Sequence, residues 1–233
     1  FLILGTFVIS GIVNSAEKTI LKAGFPSVDK IKNASENQLL LSVGVFDPLT
    51  EKLSFSESKV AEKVSGNYSI VQFHDGKADS RWLIKKGVKV LSYLPNNAFI
   101  VANSKELQSI EGDKYIRWIG AYQSNFKIPP HLWEKNLKPQ LDYELVVSVF
   151  ENYPNVKLEV LIRKFLPNAE LLRKTESNEV FLKIQNRYIL QSIQSLAQID
   201  EVRFVDIVKP MKFANTEAVS AIQANADSGG RPA

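Results

Sequence analysis

The side chains able to do chemistry are few and far apart. His74 and His131 are the two imidazoles of the 233-residue chain, and cysteine is absent. Without Cys there is no disulfide, no thiol nucleophile and no Cys-ligated zinc. A serine nucleophile would need a histidine base against it and a carboxylate to orient that base. His74 is followed by Asp75-Gly76 and His131 by Leu132, and neither has a Ser-bearing nucleophile motif to work with. Asp227-Ser-Gly229 joins a carboxylate to a hydroxyl, but in a Gly/Pro tail with no apolar strand before it. A short motif without its structural context is weak evidence. Both histidines read as turn-exposed, and neither has a second His nearby for a metal site. The sequence calls for no catalytic residue and no cofactor. Its 29 Lys+Arg against 25 Asp+Glu give +4, and the basic residues are dispersed, without the clustered charge of a nucleic-acid footprint.

The elements that would carry any function come in two copies. The first opens on the β-rich run Tyr68–Phe73, continues through a helical segment with Trp82, Leu83 and Ile84, and halts at Gly87. Strand-like runs follow at Val88–Leu94 and Ala98–Ala102, joined by Pro95-Asn96-Asn97. Ser104 can cap a short helix carrying Leu107 and Ile110, and the copy closes on Tyr115–Tyr122. The second copy runs from Leu145–Phe150 through a helix with Leu161-Ile-Arg-Lys164, then strands near Glu170–Arg173 and Glu179–Ile184. Leu-Gln-Ser-Ile recurs outright at 107–110 and 190–193, and Val202-Arg-Phe-Val205 stands where Ile116-Arg-Trp-Ile119 stood. The order β-α-β-β-α-β, twice, predicts an α+β protein of two tandem ferredoxin-like (split βαββαβ) domains, each an antiparallel sheet with two helices on one face. Their boundaries fall at 67–128 and 141–210.

Around these copies, residues 1–16 form an uncharged apolar run. It is short for a membrane span and reads as a signal peptide truncated at its start, with no other membrane segment. Residues 17–66 read as an extended, partly ordered leader with a possible strand at Leu39–Val45. Residues 129–140, with Pro129-Pro130 and Pro139, read as a connector packed down by Leu132, Trp133 and Leu137. Residues 211–233 change character: Asn215 is a plausible N-cap for a helix with Ala218, Val219 and Ile222 at helical spacing.

Several stretches carry a resemblance: Phe46-Asp-Pro-Leu49, Tyr68–Phe73, Gly87–Pro95, Ala98–Val101, Ile116–Tyr122 and Lys127-Ile128. Their order and spacing resemble the N-terminal prosegment of secreted subtilisin-like serine peptidases, in the branch with long prosegments. Asn215–Asn225 resembles the first helix of the mature enzyme in that branch. The similarity spans about Val45 to Asn225 and is most specific from Tyr68 to Ile128. It implies a secreted propeptide that assists folding of its own catalytic domain and inhibits it, the cognate subtilisin-like catalytic domain being the partner. The family's catalytic residues sit in Asp-(Thr/Ser)-Gly, His-Gly-Thr and Gly-Thr-Ser contexts. Asp227-Ser-Gly229 comes too early to supply the first, so this stretch has no triad and the parent chain would be the endopeptidase.

The strands suggest how a partner would be held. Ile70-Val71, Val90-Leu91, Phe99-Ile100-Val101, Trp118-Ile119, Val146-Val147 and Phe204-Val205 are apolar at adjacent positions, so both sheet faces want cover. A sheet with helices on one side would otherwise alternate with polar residues. The cover is either a partner or, for the second copy, sheet-on-sheet packing. Trp118 and Phe204 are expected in equivalent places, and a fully buried Trp118 would cost about 3–5 kcal/mol on truncation to Ala. In the family picture the tail Met211, Lys212, Phe213, Ala214 lies in the substrate cleft as an added strand. Processing is expected at Ala214–Asn215, with Phe213–Ala214 as the competing bond. A secreted peptide-binding or adhesion module is the alternative. An RNA-binding module fits less well, because Asn97–Ala102 lacks the basic residue and Gly of its aromatic strand motif.

Overall fold

The structure is a computed structural model that describes residues 17–55, 67–133, 137, 142–150, 155–176 and 178–208. It is α+β, with mostly antiparallel sheets and few helices. Among the described residues no helix is long and apolar enough to cross a membrane. The signal-peptide reading of 1–16 and the whole of 211–233 lie outside the described residues.

The first repeat comprises β5 (Tyr68–Phe73), α2 (Ser80–Lys85), β6 (Val90–Leu94), β7 (Ala98–Ala102), α3 (Lys105–Ser109) and β8 (Ile116–Ala121). Its boundaries follow local chemistry. The Asp79 carboxylate accepts from the Arg81 amide at 2.9 Å, and the Ser104 hydroxyl accepts from the Leu107 amide at 3.3 Å. Each bond satisfies a donor left open at a helix start. Asn96 and Asn97 both take positive φ, 62° and 61°, which suits the tight hairpin between β6 and β7. The strands line up as β6-β7-β5-β8, every neighbour antiparallel. One face buries Val71, Phe73, Phe99 and Val101 against Leu83 of α2 and Leu107 and Ile110 around α3.

The second repeat comprises β9 (Asp142–Val149), α4 (Asn155–Phe165), β10 (Ala169–Lys174), β11 (Glu179–Gln185), α5 (Ile189–Gln198) and β12 (Val202–Ile207). Its order, β10-β11-β9-β12, reproduces the first. Both arrangements are compatible with ferredoxin-like folds. Tyr143, Leu145, Val147, Val180, Leu182 and Ile184 are buried in one core with Ile162, Ile193 and Leu196 of the helices and Leu166 just after α4. The repeats do not match side chain for side chain: Ile84 is 60% exposed, whereas Ile162, its counterpart in sequence, is buried.

The leader reading of residues 17–66 needs correction, because the described part, 17–55, is folded. β1 (Thr19–Lys22) pairs in parallel with β4 (Glu51–Ser54), and β2 (Leu39–Leu41) with β3 (Gly44–Phe46) forms an antiparallel hairpin. The single strand expected at Leu39–Val45 is therefore a hairpin turning at Ser42-Val43. Between β1 and β2 lies α1 (Val28–Lys32), whose N-cap Ser27 accepts from the Lys30 amide at 3.2 Å. Leu39, Leu41, Val43, Phe46 and Leu53 are buried and share a core with Ile70, Ala98 and Ile100, the non-helical face of the first sheet. That face is thus covered by the chain itself. Strands of three or four residues hold no alternation long enough to read.

A polar clasp fixes this cover. Arg117 Nη2 donates to both oxygens of Asp47 at 2.8 and 2.6 Å, while Nη1 donates to Gln72 Oε1 at 2.9 Å and to the Asn37 carbonyl at 3.1 Å. The Arg117 and Asp47 side chains are 8% and 18% exposed. Asn96 Nδ2 donates to the carbonyls of Ser35 and Gln38, both at 3.0 Å, and Asn97 Nδ2 to Glu36 at 2.8 Å.

The described part of the connector is packed down, with Leu132 and Trp133 buried and Leu137 packed on the core, as are Phe126 and Ile128 just before it. Lys127, also buried, donates its ammonium to the Ile199 carbonyl at 2.7 Å. Tyr122 Oη donates to the Arg203 carbonyl at 3.0 Å, and the Tyr68 and Phe150 rings lie 4.3 Å apart. The two repeats therefore meet through side chains of the segment that joins them.

Trp118 and Phe204 do occupy equivalent places, opposite Gln72 and Ser148 of the central strands. Trp118 is half-buried rather than fully buried, because its indole lies across Gly120 of its own strand. A Cβ at Gly120 would stand 1.9 Å from the ring. Two outcomes are expected. Gly120→Ala should lower stability by about 1–3 kcal/mol, the ordinary cost of overpacking. Asp47→Asn should lower it by about 3 kcal/mol, because the Arg117 charge stays enclosed without its carboxylate. Urea denaturation followed by circular dichroism checks both, and an Asp47→Asn midpoint equal to wild type would show that the clasp is not structural.

Candidate interaction surface

The second sheet differs from the first in what lies on its non-helical side. Along β9, buried residues alternate with half-buried ones, and β11 alternates in the same way. Directly paired residues point to the same side of a sheet, so the register lays the open face out in rows. Arg173, Phe181, Val146 and Asp206 form one row, and Glu179, Ser148 and Phe204 the next. Glu170, Lys183 and Glu144 make a third. Val146, Phe181 and Phe204 are half-buried, an apolar strip within a polar frame.

The frame is arranged by specific contacts. The Arg173 guanidinium lies 3.8 Å from the centre of the Phe181 ring and 3.8 Å from Glu144 Oε1. Lys183 pairs with Asp142 at 3.1 Å, and that hydrogen bond holds the ammonium above the usual lysine range. At the β12 edge, His131 Nε2 lies 2.5 Å from Asp206 Oδ1, and the exposed Phe25 ring stacks on the imidazole at 5.7 Å. His131 was expected to be turn-exposed. It is instead the joint between the N-terminal segment, the connector and the second sheet. His74 is exposed in the turn after β5. Among the described residues no cluster of His, Cys, Asp and Glu could hold a metal ion.

Where the first repeat leans over this face, a cleft of about 330 Å³ opens. Leu40, Leu41 and Ser42 of the β2–β3 hairpin, Leu94, Ile100, Tyr122 and Phe126 line it from one side, and Ser148, Glu179, Arg203 and Phe204 from the other. Burial pushes the Tyr122 phenol far up, and the nearby Arg203 charge opposes that shift only in part. A second apolar hollow, with Phe25, Pro26 and Ile31, shares Leu40, Leu41 and Ser42 with the cleft. Among the described residues the surface joins an apolar strip to charged side chains beside the cleft.

The site residues expected from sequence, Met211, Lys212, Phe213, Ala214 and Asn215, all lie outside the described residues. What is described is the strand leading to them: β12 ends at Ile207, and the Val208 amide donates to the Glu144 carbonyl at 2.8 Å. Sequence reasoning missed His131, Asp206 and the cleft, since their partners lie far apart in the chain.

Comparison with known proteins gives little. A family model described as a domain of unknown function (DUF8729) matches residues 40–123, the β2–β3 hairpin and the first repeat. No curated protein matches the chain. Among solved structures, the acetolactate synthase small subunit from Thermotoga maritima is similar at 12% identity, covering 64% of this chain and 94% of that one. The TM-score is 0.20, too low to carry an argument about fold or function.

A half-buried face should tolerate truncation better than the core behind it. Phe204→Ala should cost about 1–2 kcal/mol and Leu182→Ala, on the buried side, about 2–5 kcal/mol. Equal losses in urea denaturation would mean that the open face is core.

Proposed function

We propose that this chain is the N-terminal prosegment of a secreted subtilisin-like serine endopeptidase, an intramolecular chaperone and inhibitor of the catalytic domain that follows it. On this reading the two repeats are tandem ferredoxin-like prodomains and the stretch itself is not catalytic. The ordered resemblance from Phe46 to Ile128 motivates the identity. The observation that carries the mechanism is the open face of the second sheet, whose last strand, β12, leads directly toward Met211–Asn215. A partner seated on Val146, Phe181 and Phe204 would lie against the strand that precedes the tail in sequence. The first sheet has no such face to offer, because residues 17–55 occupy it.

A template that binds the folded enzyme and not its unfolded chain stabilises the enzyme by mass action. The same contact inhibits when the tail fills the cleft as an added strand. Nucleic acid suits the face poorly. Glu144, Glu170, Glu179 and Asp206 line it, and Arg173 already covers the Phe181 ring, so a phosphate backbone would meet carboxylates. The secreted peptide-binding or adhesion module remains the second reading, since the same open face would serve it.

Two measurements test the proposal. The segment from Glu17 to Ala214 is the one to use, because a segment starting at Asn67 would strip the first sheet of its cover. That segment should inhibit the cognate peptidase at micromolar concentration or below and speed its refolding. No inhibition by the folded segment removes the proposal. N-terminal sequencing of the mature enzyme should begin at Asn215, since Ala214 suits a small first pocket, Met211 an apolar fourth one, and Asn is a residue type favoured at helix N-caps. A start before Met211 or after Asn225 would show the assignment of the tail to be wrong.

A further inference from the structure

The two repeats carry the same arginine in the same irregularity of the edge strand. Opposite β5, the register skips from Trp118 to Ile116, leaving Arg117 as the extra residue. Opposite β9 it skips from Phe204 to Val202, leaving Arg203. Such a bulge re-aims the side chain it carries. In the first repeat the chain answers it: Arg117 holds the Asp47 carboxylate, the Asn37 carbonyl and Gln72. In the second repeat Arg203 is exposed, and among the described residues no carboxylate pairs with it. It stands at the 330 Å³ cleft beside Phe204 and Ser148, the counterparts of Trp118 and Gln72.

We infer that Arg203 and the open face of the second sheet form a receptor for an acidic–apolar peptide segment of a partner protein. That segment would bind as Phe46-Asp47-Pro48 binds the first sheet within this chain. The chemistry is charge-assisted hydrogen bonding of a guanidinium fork to a carboxylate, beside an apolar strip that a flanking side chain covers. Glu179 refines the ligand. It stands where the first repeat has buried Ala98, two strands from Phe204 and so roughly 10 Å away. The segment therefore brings a carboxylate to Arg203 and a cation or N–H donor to Glu179. This rests on the second sheet being a partner surface, not on the partner being a peptidase.

The test uses the full chain and blocked synthetic peptides, with no peptidase present, so its failure is distinct from failure of the prosegment reading. Ac-Val-Phe-Asp-Pro-Leu-NH2 copies the internal clasp, a second peptide has Asn for Asp, and a third has Lys for Val. Binding is followed through the backbone amide resonances of Ser148, Glu179, Arg203 and Phe204. The Asp peptide should saturate these shifts at about 1 mM or tighter. The Asn peptide should bind at least about tenfold more weakly, about 1.4 kcal/mol on the scale of affinities. The Lys form should bind more tightly than the Val form, and Glu179→Gln should erase that gain. Arg203→Met, an exposed substitution, should make the Asp and Asn peptides equal. Any one of four results overturns the inference: no saturable shift for any Asp-containing peptide up to about 10 mM, equal binding of Asp and Asn peptides to the wild-type chain, binding unchanged by Arg203→Met, or shifts that map away from this face.

Discussion

The first sheet must be covered on both faces, and the Arg117–Asp47 clasp shows how the chain does it. Ile70, Ala98 and Ile100 would expose a continuous apolar strip if only α2 and α3 packed on this sheet. The segment from β1 to β4 supplies the missing layer, yet its strands are too short to be stable alone. It becomes ordered structure only on the sheet it covers. The guanidinium of Arg117 lends direction to that packing. Hydrophobic burial would accept many placements of the β2–β3 hairpin, whereas Asp47, Asn37 and Gln72 accept one.

The second sheet has the same topology and a different fate because its residues alternate. Tyr143, Leu145, Val147 and Val149 point toward α4 and α5, while Glu144, Val146 and Ser148 point away. The strip on that side, Val146, Phe181 and Phe204, is half-buried within a frame of charged residues. Tyr122, Lys127 and Phe150 then couple the sheets, so the second sheet is held against the first.

Much of this was legible in the sequence where local rules dominate. Ser104 as a cap, Pro95-Asn96-Asn97 as a strand connection, and the strand runs of both repeats all appear where residue chemistry places them. The recurrence of Ile116-Arg-Trp-Ile at Val202-Arg-Phe-Val even located the two arginines later found on matching bulges. Illegible were contacts across long separations. Nothing near Asp47 announces Arg117, and nothing near His131 announces Asp206 or Phe25. The two-sided apolar pattern required cover for the first sheet, which residues 17–55 provide, but it overstated the need of the second, where β9 and β11 alternate and the non-helical side stays half-buried.

The two repeats share a topology and differ in what lies on their non-helical faces. An edge-strand bulge with an arginine is costly to keep in a closed sheet, since the enclosed guanidinium needs a carboxylate and further acceptors to offset its desolvation. In the first repeat that requirement is met within the chain. In the second, Arg203 remains in water, where it costs little, beside Phe204 and a cleft lined by the very hairpin that closes the first sheet. The cover of one sheet thus becomes a wall of the cleft on the other. Loss of the β2–β3 hairpin would both uncover Ile100 and remove Leu40, Leu41 and Ser42 from the cleft, so stability of the first repeat and the shape of the cleft are linked through a single three-residue strand and its turn.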